Sequence, residues 1–398
     1  MPDRLSVLLI ATHPVQYQSP IFRRMARHPR LDIHVAYCSL LGAEKALDPD
    51  FATEVQWDVP LLDGYPWTQV PNLASPPRPT RFWGVVNPGL WKIIRRQRFD
   101  AVVTYTGYMC ASFWIAAAAA KFSRVPFLFG TDATGLEPRS GHAWRAALKK
   151  LILPSIFRLA TVVIVPSTAA VDFIRTLGIP PGRIVLTPYT VDNDWWSARA
   201  ALVNRAAVRA RWNVPENGNV ILFSAKMQPW KRPLDLLHAF ANAVVPDSYL
   251  VLAGDGPLRP AIESQAASLG ISDRVRFLGF VNQSGLPEVY ASADLLVLAS
   301  EYEPFGVVVN EAILCGCAVA VSDRVGARHD LVAAGETGFV FPAGDVDGLS
   351  RTIASAFADR NQLRQISHAA RRRLERWSPH ENVERMVEAI ARACQSSA

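Results

Sequence analysis

Long hydrophobic runs are missing from this chain of 398 residues. No uninterrupted apolar stretch reaches the roughly 18 residues that a membrane-spanning helix needs, which predicts a soluble globular protein. The apolar opening stretch, residues 5–11, lacks a small-residue cleavage site and leads into Thr12, His13 and Pro14. That pattern indicates a buried first strand rather than a signal peptide, so we expect the protein in the cytoplasm.

Paired cysteine motifs are missing as well. The chain has five cysteines, an odd number, and none of them shows the C-x2-C spacing of a zinc site. We therefore expect no metal site, and reduced, mostly buried thiols at Cys38, Cys110, Cys315, Cys317 and Cys394.

Charge is sparse and unevenly distributed. Charged residues make up 19% of the chain, whose net charge is +7. Residues 1–200 hold 22 Lys and Arg against 14 Asp and Glu, a balance of +8, and the rest hold 20 against 21, a balance of −1. The basic half favours an anionic partner. Zinc-finger spacing, RNA-binding aromatic signatures and basic heptad helices are missing, which argues against nucleic acid and favours a membrane surface or a phosphate-bearing acceptor.

One stretch of the basic half, residues 142–159, is both basic and strongly apolar. It places Lys149 and Lys150 among aromatic and aliphatic residues at helical spacing. Burial against a sheet is one interpretation, and shallow attachment to an anionic membrane is the other. The expected location is therefore the cytoplasm, with peripheral attachment to the inner face of the membrane as the alternative left open.

Short β-rich segments alternate with longer amphipathic stretches along the chain. The alternation predicts an α/β fold with parallel sheets and right-handed crossovers. The rhythm restarts after about residue 203, and residues 188–196, rich in turn formers and aromatics, predict a linker. We predict two doubly wound, Rossmann-like domains that face each other across a cleft, an N-terminal domain at 1–190 and a C-terminal domain at 191–376. Residues 377–398 predict a final helix, with Pro379 in its first turn, that packs back toward the N-terminal domain.

The predicted strands divide into two series. They cover residues 7–10, 33–36, 101–105, 125–129, 162–165 and 184–186 in the first series and 220–224, 249–253, 275–278, 295–298 and 318–321 in the second.

The most informative segment carries two glutamates eight residues apart, Glu303 and Glu311, between a predicted strand and a helix start. Gly306 lets the backbone approach a ligand, and the amides of Gly306, Val307 and Val308 at the positive helix end can hold a diphosphate. Glu311 can accept hydrogen bonds from ribose hydroxyls, and Glu303 can contact the donor sugar. The alternative is that both glutamates only stabilise the helix N-terminus.

Two lysines and a glycine turn accompany this segment. Lys226 follows the first strand of the second series, and Lys231 stands five residues later at the next helix start. Both can converge on a diphosphate at the carboxyl end of the sheet, although solvated lysines are the ordinary alternative. Gly254 ends the next strand in a tight turn that keeps side chains away from the ligand.

In order and spacing, these motifs resemble the donor domain of family 4 glycosyltransferases. The resemblance is strong over roughly residues 160–345. It rests on Val165-Pro166-Ser167, Gly178-Ile179, Pro188-Tyr189-Thr190-Val191-Asp192, Lys226, Lys231, Gly254-Asp255-Gly256-Pro257, Val275-Arg276-Phe277-Leu278-Gly279-Phe280-Val281, Glu303 with Glu311, and Ser322-Asp323-Arg324-Val325-Gly326.

The resemblance implies a GT-B fold and a retaining, metal-independent glycosyltransferase of hexosyltransferase type. It implies a UDP- or GDP-sugar as donor with no cofactor required, and a carbohydrate, lipid-linked or small-molecule acceptor in cell-envelope polysaccharide or glycolipid synthesis. By analogy the C-terminal domain binds the donor, with the backbone at Phe280 near the base, and the N-terminal domain binds the acceptor. The chain departs from the family pattern at Ala225-Lys226, where the family usually carries Gly-Arg, and at Tyr189, where Asn is commoner.

Two residues of the N-terminal half are candidates for the chemistry. Many relatives place a His near the reacting centre after a strand, and this chain has Asp132 there, after a predicted strand. Asp132 can accept a hydrogen bond from the acceptor or the donor sugar, or it can cap a turn. His13, at the end of the first predicted strand, is either catalytic or structural.

Several rival interpretations stay open at this point. Asp192-Asn193-Asp194 and Asp345-Val346-Asp347 match the D-x-D pattern of metal-dependent glycosyltransferases, but a linker and a helix cap explain them better. A nucleotide-sugar epimerase on the same fold would need no acceptor. A catalytically silent sugar-nucleotide-binding protein would bind the donor without turnover.

Overall fold

A computed structural model describes residues 4–48, 53–136 and 143–396 of the protein. The strands within these ranges are β1 (Leu5–Ala11), β2 (Leu31–Tyr37), β3 (Ala46–Asp48), β4 (Thr53–Val55), β5 (Trp67–Gln69), β6 (Ala101–Thr104), β7 (Phe127–Gly130), β8 (Val162–Val165), β9 (Ile184–Leu186), β10 (Asn219–Ser224), β11 (Ser248–Ala253), β12 (Val275–Gly279), β13 (Leu295–Leu298), β14 (Ala318–Ser322) and β15 (Phe339–Phe341). The α-helices are α1 (Ser19–Arg27), α2 (Gly89–Arg96), α3 (Ala111–Phe122), α4 (Ala143–Phe157), α5 (Thr168–Thr176), α6 (Asn193–Ala201), α7 (Arg205–Arg211), α8 (Pro233–Asn242), α9 (Arg259–Ser268), α10 (Leu286–Ser292), α11 (Val308–Leu314), α12 (Val346–Ala358), α13 (Arg360–Leu374) and α14 (Pro379–Gln395).

The first sheet is parallel and runs in the order β5-β2-β1-β6-β7-β8-β9. Its central strands are runs of Val, Ile and Leu that are buried on both faces, as a sheet covered by helices on two sides requires. Helices α2, α3, α4 and α5 pack on one face. Helices α1 and α14 pack on the other, which makes this sheet doubly wound.

The second sheet is also parallel, in the order β12-β11-β10-β13-β14-β15. Apolar residues of α8, α9 and α12 pack on one face of it. The strand order reverses between β10 and β13, and a reversal of this kind is where ligands bind in open α/β sheets. The predicted α/β class with two parallel sheets is confirmed.

The chain divides into two compact units that are not continuous in sequence. The first comprises residues 1–46, 60–189 and 379–398, and the second comprises 47–59 and 190–378. The described part of this segment, residues 47, 48 and 53–59, was expected in the N-terminal domain and groups with the second unit instead. Helix α14 begins at Pro379 and contributes Val383, Met386 and Ile390 to the core of the first unit.

The predicted linker at 188–196 also needs correction. Helix α6 already begins at Asn193, because the side chain of Asp192 accepts a hydrogen bond from the amide of Trp195 and caps the helix. Trp195 and Trp196 lie within α6, and Trp196 is 1% exposed, so the two tryptophans of this segment belong to a packed helix rather than to an open connection.

Helix α4 has one buried and one exposed set of apolar residues. Leu153, Ile156 and Phe157 are buried against the first sheet. An apolar set on the outer side is exposed, namely Leu148, Leu151, Ile152 and, just after the helix, Leu159. Residue 142 lies outside the described residues. No helix among the described residues is long and apolar enough to cross a membrane.

The cysteines behave as the sequence predicts. All five lie in the described ranges with free thiols. Four are buried and Cys394 is partly exposed.

Candidate active site

The predicted donor-site residues follow β10 and β13, the two strands where the order of the second sheet reverses. Lys226 lies two residues beyond β10, and Lys231 closes a short 3-10 turn before α8. Glu303 lies between β13 and α11, and Glu311 lies within α11. Adjacent parallel strands end at the same edge of a sheet, so the fold brings these residues to one edge.

Lys231 and Glu303 form an ion pair between the Lys231 Nζ and Glu303 Oε2 atoms. Their side chains are 19% and 15% exposed, so the pair is largely shielded from water. The amide of Glu301 donates to the carbonyl of Trp230 over 2.8 Å, which ties the loop after β13 to the loop after β10. A cation and a carboxylate are thus held together at the sheet edge. The ammonium of Lys231 can bind an anionic ligand group in place of Glu303, and the carboxylate of Glu303 can accept hydrogen bonds from ligand hydroxyls in place of Lys231.

Glycines bring the backbone close to this edge. Gly306 has a φ of 94°, a left-handed conformation that side chains rarely adopt. Helix α11 begins two residues later at Val308, with Val307 as its N-cap, so first-turn amides of the helix follow this glycine directly. At Gly254 an added Cβ would lie 2.1 Å from the carbonyl oxygen of Ala225, so only glycine fits where the turn after β11 meets the loop after β10.

Glu311 is buried in α11, at 5% exposure. The Tyr290 hydroxyl donates to its Oε2 atom over 2.9 Å, and the same hydroxyl lies 3.0 Å from Ser224 Oγ. Burial raises the pKa of Glu311 to about 8, and the hydrogen bond from Tyr290 partly opposes that rise. Tyr290, on α10, therefore links the end of β10 to the second glutamate of the motif.

Sequence reasoning did not find Tyr290 or Ser224. Tyr290 lies 21 residues before Glu311 and shares no spacing pattern with it. An aromatic residue on a buried helix face looks the same in sequence whether its hydroxyl is used or not.

Phe280 follows the edge strand β12 directly. It is half-buried, and its ring centroid lies 6.2 Å from that of Trp57. The partner is unexpected, since Trp57 comes from the first part of the chain.

The two candidates of the first unit lie at the carboxyl ends of their strands. His13 is two residues beyond β1, and Asp132 is two residues beyond β7. The order β1-β6-β7 puts both at the same edge of the first sheet. The Nδ1 atom of His13 is buried without a hydrogen-bond partner among the described residues, and burial lowers the His13 pKa. Asp132 is exposed.

Both D-x-D segments cap helices. Asp192 caps α6, and the Oδ1 atom of Asp345 accepts from the amide of Gly348 over 2.7 Å and caps α12. The cap interpretation of Asp345 is confirmed.

Two family models match the chain. The model described as glycosyl transferases group 1 matches residues 204–373, and the glycosyl transferase 4-like domain matches residues 42–190. Together the two matches cover most of the chain and leave out residues 1–41, 191–203 and 374–398. The chain belongs to the group 1, or family 4, glycosyltransferases.

Curated relatives are similar to this protein over part of the chain. The N-acetyl-alpha-D-glucosaminyl L-malate synthase of Bacillus anthracis is 28% identical over 251 residues, which cover 62% of this chain and 61% of that protein. The D-inositol 3-phosphate glycosyltransferase of Streptosporangium roseum is 34% identical over 199 residues, covering 47% of this chain and 44% of that protein. The chain thus spans about half of the length of these relatives.

Solved structures share the fold over nearly the whole chain. HepE of Anabaena, in complex with UDP and glucose, superposes with a TM-score of 0.73 at 21% identity, covering 98% of this chain and 100% of that one. Sucrose-phosphate synthase of Thermosynechococcus elongatus gives a TM-score of 0.73 at 22% identity, with coverages of 97% and 98%. These likenesses confirm the predicted GT-B fold.

Proposed function

We propose that this group 1 family member is a retaining glycosyltransferase that transfers a sugar from a nucleotide diphosphate donor to an acceptor hydroxyl. The second unit binds the donor and the first unit binds the acceptor. The reaction serves cell-envelope polysaccharide or glycolipid synthesis at the cytoplasmic side of the membrane and requires no metal ion.

One observation supports placing the donor site in the second unit. Lys231, Glu303 and Glu311 lie at one edge of the second sheet, and each has a contact that fixes its side chain. The Lys231–Glu303 pair offers a cation for the diphosphate and a carboxylate for the donor sugar. Glu311, held by Tyr290, offers acceptor oxygens for ribose hydroxyls. HepE shares this fold, and its structure was solved in complex with UDP and glucose. We therefore expect the donor nucleotide to carry uracil, and UDP is the first nucleotide to test.

The proposed chemistry follows from charge. Departure of the nucleoside diphosphate builds negative charge on the leaving oxygen, which Lys226, Lys231 and the amides at the start of α11 stabilise. Departure and attack on the same face of the sugar let the leaving phosphate accept the proton of the acceptor hydroxyl. His13 and Asp132 then serve to bind and orient the acceptor.

A thermal shift measurement tests the donor site. UDP, GDP and ADP, with and without EDTA, are added to the wild-type protein and to the Lys231→Ala and Glu311→Ala variants. We expect one nucleotide to raise Tm regardless of EDTA, since a ligand that binds only the folded state stabilises it. Both variants should lose most of that rise, because each removes a group expected to contact the nucleotide.

Lys121→Ala is the matched control, since Lys121 is exposed on α3 of the first unit. It should keep the full nucleotide response. No Tm rise with any nucleotide would contradict the donor assignment, and a rise abolished by EDTA would contradict metal independence. NMR of the glycoside product tests retention, and nucleotide binding without turnover of any nucleotide sugar would favour the silent binding protein.

We also propose that α4 attaches the protein to an anionic membrane. Leu151 is 76% exposed, and Leu148 and Ile152 beside it are 46% and 44% exposed, so the helix presents an apolar stripe to solvent. Lys150 and Arg158 are exposed close to this stripe. An apolar stripe with flanking cations fits the interface of a bilayer that contains anionic lipids.

Flotation with liposomes tests this attachment. Wild-type protein should float with vesicles that contain phosphatidylglycerol and remain unbound with pure phosphatidylcholine vesicles. The Leu148→Ser/Leu151→Ser and Lys149→Ala/Lys150→Ala variants should lose flotation. Leu202→Ser is the control, because Leu202 is 86% exposed in the second unit. Unchanged flotation of the lysine variant would contradict the electrostatic part of the attachment.

A further inference from the structure

A segment from the first part of the chain is built into the second unit. Residues 47–59 belong to that unit, although residues on both sides of them belong to the first. Near the end of the segment, Gln56, Trp57 and Asp58 contact the loop that follows the edge strand β12. We call residues 56–58 the strap.

The strap is held by paired hydrogen bonds to Asn282. The Nδ2 atom of Asn282 donates to the carbonyl of Gln56 over 2.7 Å, and the Oδ1 atom of Asn282 accepts from the amide of Asp58 over 3.3 Å. The carboxamide therefore binds backbone groups on both sides of Trp57. Such a pair of bonds fixes the position of the intervening residue without depending on its side chain.

Asp58 adds a second anchor. Its Oδ1 accepts from the amide of Ser284 over 3.0 Å, and its Oδ2 accepts from the Ser284 hydroxyl. The carboxylate thus binds both donors of one residue, and bonds to a charged acceptor are the stronger class. With Asn282, this anchor gives the strap a defined register on the loop.

These anchors place the Trp57 ring beside Phe280, with ring centroids 6.2 Å apart and planes inclined by 52°. Both rings are half-buried, so part of each stays accessible to a ligand. Phe280 immediately follows the carboxyl end of β12, and ligands bind at the carboxyl ends of strands in open α/β sheets. The same loop leads into α10, which carries Tyr290 and therefore the contact to Glu311.

We propose that Trp57 contacts the base of the nucleotide donor and forms one wall of the base subsite. This proposal rests on the donor function proposed for the second unit. A ribose held at Glu311 directs its base toward a neighbouring part of the sheet edge, and the Trp57–Phe280 pair supplies aromatic surface there. A base stacks on aromatic rings whatever its hydrogen-bonding pattern, so Trp57 contributes affinity, while backbone groups of the loop distinguish one base from another.

Titration calorimetry with UDP, GDP and inorganic pyrophosphate tests the role of Trp57. In Trp57→Ala, we expect the dissociation constant of the nucleotide that binds the wild-type protein to rise about tenfold, the typical loss when one stacking ring is removed. Pyrophosphate has no base, so its affinity should stay unchanged, which also shows that the variant is folded. Trp57→Phe should retain most of the nucleotide affinity.

Two further variants separate stacking from other causes. Asp58→Ala keeps the ring but removes an anchor, so it should weaken nucleotide binding less than Trp57→Ala does. Trp83→Ala removes a tryptophan that is 73% exposed in the first unit and should leave binding unchanged.

Each outcome decides a different claim. If the wild-type protein binds neither nucleotide, the donor function fails and the base contact fails with it. If the wild-type protein binds UDP or GDP and Trp57→Ala binds it equally well, or loses pyrophosphate to the same extent, the donor site stands and the role of Trp57 is overturned.

Discussion

Glu311 carries a carboxyl group where a negative charge is costly. It is buried, its pKa is raised to about 8 by that burial, and the neutral Tyr290 is the one hydrogen-bond donor to its side chain found among the described residues. At neutral pH without ligand, this carboxyl therefore keeps its proton in the folded protein.

Stability should consequently depend on pH through Glu311. Between the ordinary value of 4.5 and about 8, the folded state holds this proton and the unfolded chain has lost it. The folded state then binds more protons, so the free energy of unfolding falls as pH rises through this window, by at most about 1.4 kcal/mol per pH unit. Glu311→Gln removes the titration. Urea unfolding at pH 5.5, 6.5 and 7.5 should show the wild-type protein losing stability relative to the variant.

The comparison must be made between the two proteins, since other groups titrate in both. Gln keeps an oxygen that can accept from Tyr290, so the variant retains the hydrogen bond. A stability difference that stays constant across the three pH values would contradict the raised pKa of Glu311.

At the level of the helix, the cap of α12 separates two interpretations of one D-x-D segment. Asp345 accepts from the amide of Gly348, whereas Asp347 is exposed in the first turn. Asp345→Ala should lower the free energy of unfolding by about 1 kcal/mol, the usual cost of losing an N-cap. Asp347→Ala should cost less, because it only weakens the interaction with the helix dipole.

The measurement is urea unfolding of both variants together with nucleotide affinity in EDTA and in Mg²⁺. Nucleotide affinity should match the wild-type value for both variants in both buffers. A Mg²⁺-dependent affinity that disappears in Asp345→Ala would instead make this segment a metal site.

Elements were predictable from the sequence where their own residues specify them. β8 and β13 have the predicted bounds, because contiguous apolar runs with flanking turn residues define a buried parallel strand. β5 and β15 were not predicted. Each has three residues, and β5 is exposed. Such short strands form because they pair with a neighbouring strand, and three residues are too few to show a hydrophobic pattern of their own.

The same distinction applies to the candidate site. Glu303, Gly306 and Glu311 lie in one short segment, and their spacing in the sequence indicated a donor site there. Tyr290 and Trp57 reach the site through contacts distant in sequence, and no local pattern encodes such contacts. The sequence also did not indicate that Glu303 would pair with Lys231.

For the molecule as a whole, α14 should be essential to the first unit. Ile390 is fully buried in the core that α14 shares with α1 and the first sheet. Ile390→Ala should lower stability by about 2–5 kcal/mol, the range for removing a large apolar side chain from a core. Ile152→Ala, at a half-exposed position on α4, should cost much less.

Hydrogen exchange with mass spectrometry locates the loss. Peptides from β1, β6 and β8 should exchange faster in Ile390→Ala, since these strands pack in the same core as Ile390. Faster exchange confined to peptides of residues 190–378 would contradict the assignment of α14 to the first unit.

The discontinuity of the two units sets the order in which they can be completed on a ribosome. The first unit needs residues 379–398, which are synthesised only after every residue of the second unit has been made by position 378. The unit whose synthesis begins first must therefore wait for α14 to close its core. Until then, the apolar face that α14 covers remains open to chaperones, and a nascent chain halted at position 378 would have every residue of the second unit but not those of the first.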